Sequence, residues 1–182
     1  ALVATVALGS PPQLLRCLLD SSSANVWIPA SMCQTCNQGR SFQAEESTTF
    51  TLDEGSRSPE AKSVKVSSGE REIVGLAARD TLRLGSVGFE NSSFIMVDDA
   101  ALPVGRTWDG ICGLGWEQLA DLDQPLYERL RGKQRAALFA IVPSRRWRED
   151  AFLVLGEVPE LALKKETLAW ADAAPPGLGA AS

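Results

Sequence analysis

The sequence contains no histidine. That removes Ser-His-Asp and Cys-His catalysis and most catalytic zinc sites, because each depends on an imidazole as base or ligand. An enzyme built on this chain has carboxylates, lysines and hydroxyls to work with. Asp20 follows the apolar run at residues 13–19 and precedes Ser21, Ser22 and Ser23; taken alone it is an aspartate in a turn after a strand. The acidic triplets Asp98-Asp99-Ala100 and Asp121-Leu122-Asp123 read as loop carboxylates. Of the four cysteines, Cys33 and Cys36 form a Cys-x-x-Cys in a polar, glycine-containing loop. A loop disulfide, half a zinc site and a redox pair are the readings open to it. Zinc would want two further ligands, and neither Cys17 nor Cys112 has a partner at metal-ligand spacing. A redox pair belongs at a helix start, so a small structural disulfide fits this loop best. Cys17 and Cys112 sit in apolar runs and read as buried small hydrophobes. No metal and no cofactor is expected.

The elements that would position these groups are mostly strands. Residues 2–8 and 13–19 are apolar strands separated by Gly9-Ser10-Pro11-Pro12, a turn, because two prolines cannot continue a ladder. Asn25 to Ile28 is a short strand that Pro29 ends. Residues 37–63 are polar, with loops and edge strands. Val64-Lys65-Val66 alternates as a half-exposed strand does, and a turn is expected around Gly69. Ile73 to Leu84 is a strand interrupted by Gly75. Gly85-Ser86-Val87-Gly88 is a turn, and Phe94 to Val97 a buried strand. One helix follows, with Asp123 able to cap it, Pro125 suited to its first turn, Leu126 and Leu130 on one face and Gly132 as its stop. Strands are expected at 138–142, at 152–155 and at Leu168-Ala169-Trp170, and the tail from Ala173 is Ala/Pro/Gly-rich. Many short strands with Gly/Pro turns and one or two short helices give a mainly β domain.

Composition sets the outer bounds. The 182 residues, 45% hydrophobic and 23% charged, suffice for one good-sized domain with a real core. A net charge of −5 leaves no basic footprint for nucleic acid. The basic run Arg145-Arg146-Trp147-Arg148 is followed at once by Glu149 and Asp150 and reads as a solvated loop. No apolar run approaches membrane-spanning length. The chain opens on an apolar strand with no basic region before it, as a piece of a longer precursor would. Asn91-Ser92-Ser93 is a sequon, so Asn91 is a possible glycan acceptor in a secreted chain. Of the five tryptophans, Trp27, Trp108 and Trp170 match core positions; a packing role is expected for Trp116 and Trp147.

The segment Leu18-Leu19-Asp20-Ser21-Ser22-Ser23-Ala24-Asn25-Val26-Trp27-Ile28-Pro29 resembles the active-site strand and loop of pepsin-family aspartic proteases. There the pattern is two apolar residues, Asp-Thr-Gly-Ser-Ser, Asn, an apolar residue, Trp, an apolar residue and Pro. Gly9-Ser10-Pro11-Pro12-Gln13 resembles the family's Gly-Thr-Pro-Pro-Gln turn. Cys33 and Cys36 resemble its first loop disulfide, and Ser47-Thr48-Thr49-Phe50 its Ser-Ser-Thr-Phe strand. Gly75 through Asp80-Thr81 resembles the strand after the flap, and Asp109-Gly110-Ile111-Cys112-Gly113-Leu114-Gly115 its Asp-Gly-Ile-Leu-Gly-Leu motif. Phe139, Leu155-Gly156-Glu157 and Trp170 follow in the family's order. The resemblance implies an N-terminal pepsin-like lobe of the double-psi β-barrel type over residues 1–172, with 173–182 a frayed tail or the start of an inter-lobe connection. It also implies a secretory-pathway location, extracellular or vacuolar/lysosomal.

In that family two carboxylates share one proton, one from each lobe. The ionised one draws a proton from water and the protonated one hydrogen-bonds the scissile carbonyl. Asp20 is the matching residue here, and this chain offers no second one. Ser21 stands where the family has Thr and keeps the hydroxyl. Ser22 stands where it has Gly, so a side chain is brought beside the carboxylate. Ser23 keeps the supporting hydroxyl. Counting back from Gly75 aligns Ser68-Gly69-Glu70-Arg71 with the flap Tyr-Gly-Thr-Gly, so the flap tyrosine becomes Ser68 and Trp27 loses its expected partner. The only tyrosine is Tyr127. The expected function is therefore membership of the aspartic endopeptidase family, with this chain weak or inactive by itself until a C-terminal lobe or a second copy supplies the other aspartate. A catalytically dead module that binds peptide in the cleft, or an assembly scaffold, is the alternative.

Overall fold

The computed structural model describes residues 2–36, 39–53, 63–68, 71–133, 138–142, 144 and 150–156. Gly69, Glu70, Arg145 to Glu149, Glu157, Leu168-Ala169-Trp170 and the tail 173–182 lie outside the described residues. The chain divides into two compact units, Ala1–Tyr127 and Glu128–Ser182.

In the first unit, eight strands form one sheet: β1 (Val3–Leu8), β2 (Gln13–Asp20), β3 (Val26–Pro29), β4 (Thr51–Leu52), β5 (Ser63–Ser68), β6 (Arg71–Leu84), β7 (Val87–Ala100) and β8 (Gly110–Gly113). The order runs β1-β2-β8-β3-β7-β6, and β6 returns to pair with β1, closing a six-stranded barrel. The barrel is mixed: β2 with β8 and β3 with β7 are parallel, and the other pairings are antiparallel. Closure removes the free edges that an open sheet would present. β8 lies between β2 and β3, and β3 lies between β7 and β8. Each is a strand threaded between two others consecutive in the chain or nearly so, and the two interlock as the double-psi barrel does. β4 and β5 pair with β6 outside the ring.

Alternation explains the inward faces. In β2, Leu15, Cys17 and Leu19 are buried while Leu14 and Arg16 point out, the period-two pattern of a strand with one dry face. Phe42, Phe89, Phe94, Leu8, Ile28 and Leu82 are fully buried, each worth about 1.5–3 kcal/mol of transfer free energy. Phe42 meets Phe94 edge-on at 5.7 Å. Cys17 and Cys112 are free, buried thiols. Burial pushes the Cys17 thiol well up, and its neighbour Cys112 adds to the effect. Cys33 and Cys36 are joined by a disulfide.

Several boundaries differ from the sequence expectation. β7 is 14 residues long rather than confined to Phe94–Val97. Its first half pairs antiparallel with β6 from Leu84↔Val87 to Arg79↔Ser93, where Ser92 and Ser93 are buried and Ser93 donates to Asp123. Asp98 and Asp99 belong to β7 and are not loop residues. The expected turn narrows to Gly85-Ser86. The helix, α1 (Leu126–Lys133), begins after Pro125 and runs through Gly132 rather than stopping at it. Asp123 directs its carboxylate to Arg79 at 2.6 Å and to Ser93. Leu126 and Leu130 are both buried. In the second unit, β9 (Phe139–Val142) and β10 (Phe152–Leu155) pair antiparallel from Phe139↔Leu155 to Val142↔Phe152.

Candidate active site

β2 delivers Asp20 through its parallel pairing with β8, in register from Cys17↔Gly110 to Asp20↔Gly113. Beyond that pair the chain wraps over the end of β8. Leu114 N–H donates to the Asp20 carbonyl at 2.7 Å, Gly115 N–H to that of Ser23 at 2.8 Å, and Gly113 N–H to that of Asn25 at 3.0 Å. The loop at residues 21–25 lies so close to β8 that side chains do not fit. A Cβ on Gly113 would come within 2.5 Å of the Ala24 carbonyl carbon, and one on Gly115 within 2.8 Å of the Ser23 oxygen. The Gly-Leu-Gly spacing is thus the space that the Asp20 loop needs.

The Asp20 carboxylate is partly exposed. Its Oδ1 accepts two hydrogen bonds from one residue, from Ser22 N–H at 2.9 Å and from Ser22 Oγ at 2.7 Å. Burial alone would push its pKa up. The Ser22 hydroxyl, the Ser22 N–H and the nearby Ser23 hydroxyl outweigh it and hold the carboxyl below its ordinary value. Ser23 Oγ is itself buried and completes no hydrogen bond of good geometry. It sits near enough to favour the charged form without reaching ideal distance or angle. Ser21 is exposed beside it. Among the described residues no Lys or Arg forms an ion pair with Asp20.

The residues that follow fix the loop from below. Asn25 is buried; its Nδ2 donates to Asp121 Oδ2 at 2.6 Å, and its Oδ1 accepts from Asp121 N–H at 3.0 Å. This amide ties the end of the Asp20 loop to the segment after β8. Asp121 is a loop residue, as expected, and its carboxylate has this structural task. Trp27 is buried in a cluster with Cys36, Ile95, Val97 and Ile111. The flap tyrosine that the resemblance implies for it is absent from the sequence, and Trp108 meets it edge-on at 5.8 Å. Arg106 stacks over Trp108 at 5.5 Å. Cys33 packs against the same cluster, so the disulfide braces the floor under Trp27. Tyr127 meets Trp116 instead, at 5.8 Å.

At the other end of the β2–β8 pairing lies a carboxylate whose partners the sequence did not announce. Asp109 is fully buried. It accepts from Arg16 N–H at 2.7 Å, Arg16 Nη2 at 3.1 Å and Arg40 N–H at 2.9 Å. Burial acts to raise its pKa, but these donors, Arg16 foremost, bring it below the usual carboxylate range. The available signal was Arg16, the one charge inside an apolar strand.

Ser68 and Arg71 pair across the end of the β5–β6 hairpin, and Gly69 and Glu70 between them lie outside the described residues. Asn91 is exposed on β7, with a left-handed φ of 51°.

A closed double-psi barrel that carries an aspartate at the end of β2, with its loop seated on a Gly-x-Gly turn, defines the pepsin-like aspartic protease lobe. The chain belongs to that family: the eukaryotic aspartyl protease family matches residues 1–174. It is 28% identical to pregnancy-associated glycoprotein 1 of Sus scrofa over 163 residues, which is 86% of this chain and 40% of that protein. It is 28% identical to pepsin A-5 of Mus musculus over 163 residues, again 86% and 40%. Vacuolar protease A of Neurospora crassa is 27% identical over 135 residues, 70% of this chain and 32% of that protein. The chain spans about two-fifths or less of the length of the curated relatives it matches.

Proposed function

We propose that this chain supplies the Asp20 half of an aspartic endopeptidase site that acts on peptide or protein substrates, and that by itself it is weak or inactive. The observation that carries the reading is the Asp20 carboxylate, presented partly exposed at the end of a barrel strand and held in its charged form by Ser22. Peptide hydrolysis in this class takes two carboxylates sharing a proton. Among the described residues no second carboxylate is hydrogen-bonded to Asp20, so the other comes from a further lobe or a second copy. Ser21, Ser23 and Trp27 would support the loop, and the hairpin end at Ser68-Gly69-Glu70-Arg71 would serve as the flap. The names of the relatives, a vacuolar protease and pepsins among them, and the Cys33–Cys36 disulfide support a secretory, extracellular or vacuolar setting. There Asn91 would be open to glycosylation.

The test is cleavage of a denatured protein substrate across the acid range. The chain alone is expected to show little or no cleavage. The same residues joined to a lobe that carries a second aspartate are expected to cleave, and Asp20→Asn to abolish it. Cleavage that survives Asp20→Asn would end the reading. A second reading, a peptide-binding module without hydrolysis, is favoured by the Ser22 hydroxyl lying against the carboxylate. It predicts peptide affinity that is unchanged in Asp20→Asn.

A further inference from the structure

We propose that the Ser22 hydroxyl is a positioning group that biases Asp20 toward the charged role in a carboxylate pair, so that the shared proton favours the other member. The inference rests on the reading of Asp20 as half of such a pair. It starts from the count of donors at one oxygen. A carboxylate oxygen offers two lone pairs, and Asp20 Oδ1 already accepts two hydrogen bonds, at 2.9 Å from Ser22 N–H and at 2.7 Å from Ser22 Oγ. Both donors come from one residue, so they hold the carboxylate in a fixed orientation. The hydroxyl bond is short, as charge-assisted bonds are. A proton arriving on Oδ1 would meet two donors already aimed at that atom. Protonation is left to Oδ2, and the neutral form loses strength in both Ser22 bonds.

When two carboxyl groups share a proton, it rests on the one whose ionised form the surroundings stabilise less. Asp20 has no cation to stabilise it among the described residues. The asymmetry is therefore set by hydroxyl and amide donors. Of these, the Ser22 N–H belongs to the backbone and would be present with any residue except proline at position 22. The Oγ is the donor that depends on the side chain, and Ser22 is itself exposed, so replacing it leaves the core intact.

The experiment is a carboxyl carbon NMR titration of Asp20 in the chain itself, labelled with carbon-13 aspartate and assigned by the signal lost in Asp20→Asn. In Ser22→Ala the backbone bond stays and the hydroxyl goes. Its midpoint is expected to move up, with a proton affinity about threefold or more above the native chain. Ser22→Thr keeps a hydroxyl and is expected to stay close to the native midpoint. An Ala variant that titrates with the native chain, or Ala and Thr variants that shift together, would overturn the proposal. The readout needs no second carboxylate and no cleavage, so it fails or succeeds apart from the peptidase reading.

Discussion

Two aspartates sit at opposite ends of the same parallel pairing, and they are treated in opposite ways. Asp109, beside the start of β8, is fully buried and receives an arginine side chain and two backbone amides. Asp20, at the far end, is partly exposed, and among the described residues its donors come from its own loop. Both carboxyls are held below their ordinary value, but by different means. At Asp109 a cation neutralises the charge, and the group is committed to the fold. At Asp20 the charge is stabilised without being neutralised, so it stays available to whatever enters from outside. A buried carboxylate with a cation is a structural part; a carboxylate held by hydroxyl and amide alone is one that can still react.

The contrast can be broken most completely at the pairing that carries both groups. Gly113→Ala forces a Cβ to within 2.5 Å of the Ala24 backbone; it is expected to cost about 3 kcal/mol or more in urea unfolding. Next comes Asp109→Asn, which leaves a neutral amide facing two backbone donors and an arginine. Removing one partner of a buried pair costs about 3–5 kcal/mol. Arg16 is 45% exposed and can turn to water, so about 2–3 kcal/mol is the expectation. The pH dependence sharpens the same point. A carboxyl lowered in the folded state contributes stability that is fully present above its unfolded value, near 3.9. That stability is lost as pH falls through the lower folded value. Asp109 is lowered, so its contribution should fade below about pH 4, and the acid limb of thermal unfolding should flatten in Asp109→Asn. The smallest effect is expected for Asp20→Asn: a change within about 0.5 kcal/mol in the same assay, alongside complete loss of cleavage in a two-lobed form. A large destabilisation there would erase the distinction between the two carboxylates.

What could be read from the sequence was whatever depends on neighbours in the chain. The Asp20 loop and the Gly113-Leu114-Gly115 turn are local patterns, and the first two strands are predominantly apolar stretches. Arg16 and Asp109 are separated by 93 positions, and no spacing rule connects them. The first half of β7 was hidden because Ser92 and Ser93 are polar yet buried. Burial of such residues depends on partners like Asp123, supplied from elsewhere in the chain. Asp98 and Asp99 were misplaced for the same reason: acidic pairs are turn-like on average, whereas Asp99 here sits in β7 and accepts from Thr35 Oγ1 at 2.6 Å. Asn25 matched the family pattern, but its grip on Asp121 became visible only in three dimensions.

The free thiols of Cys17 and Cys112 lie on the two strands of this pairing, closed to solvent. Alkylating reagents need both access and a thiolate, and burial denies Cys17 each of them. Labelling therefore waits until β2 and β8 part. In native buffer, the rate at which an added maleimide consumes these sulfurs would act as a clock for barrel opening, and no engineered reporter would be needed to read it.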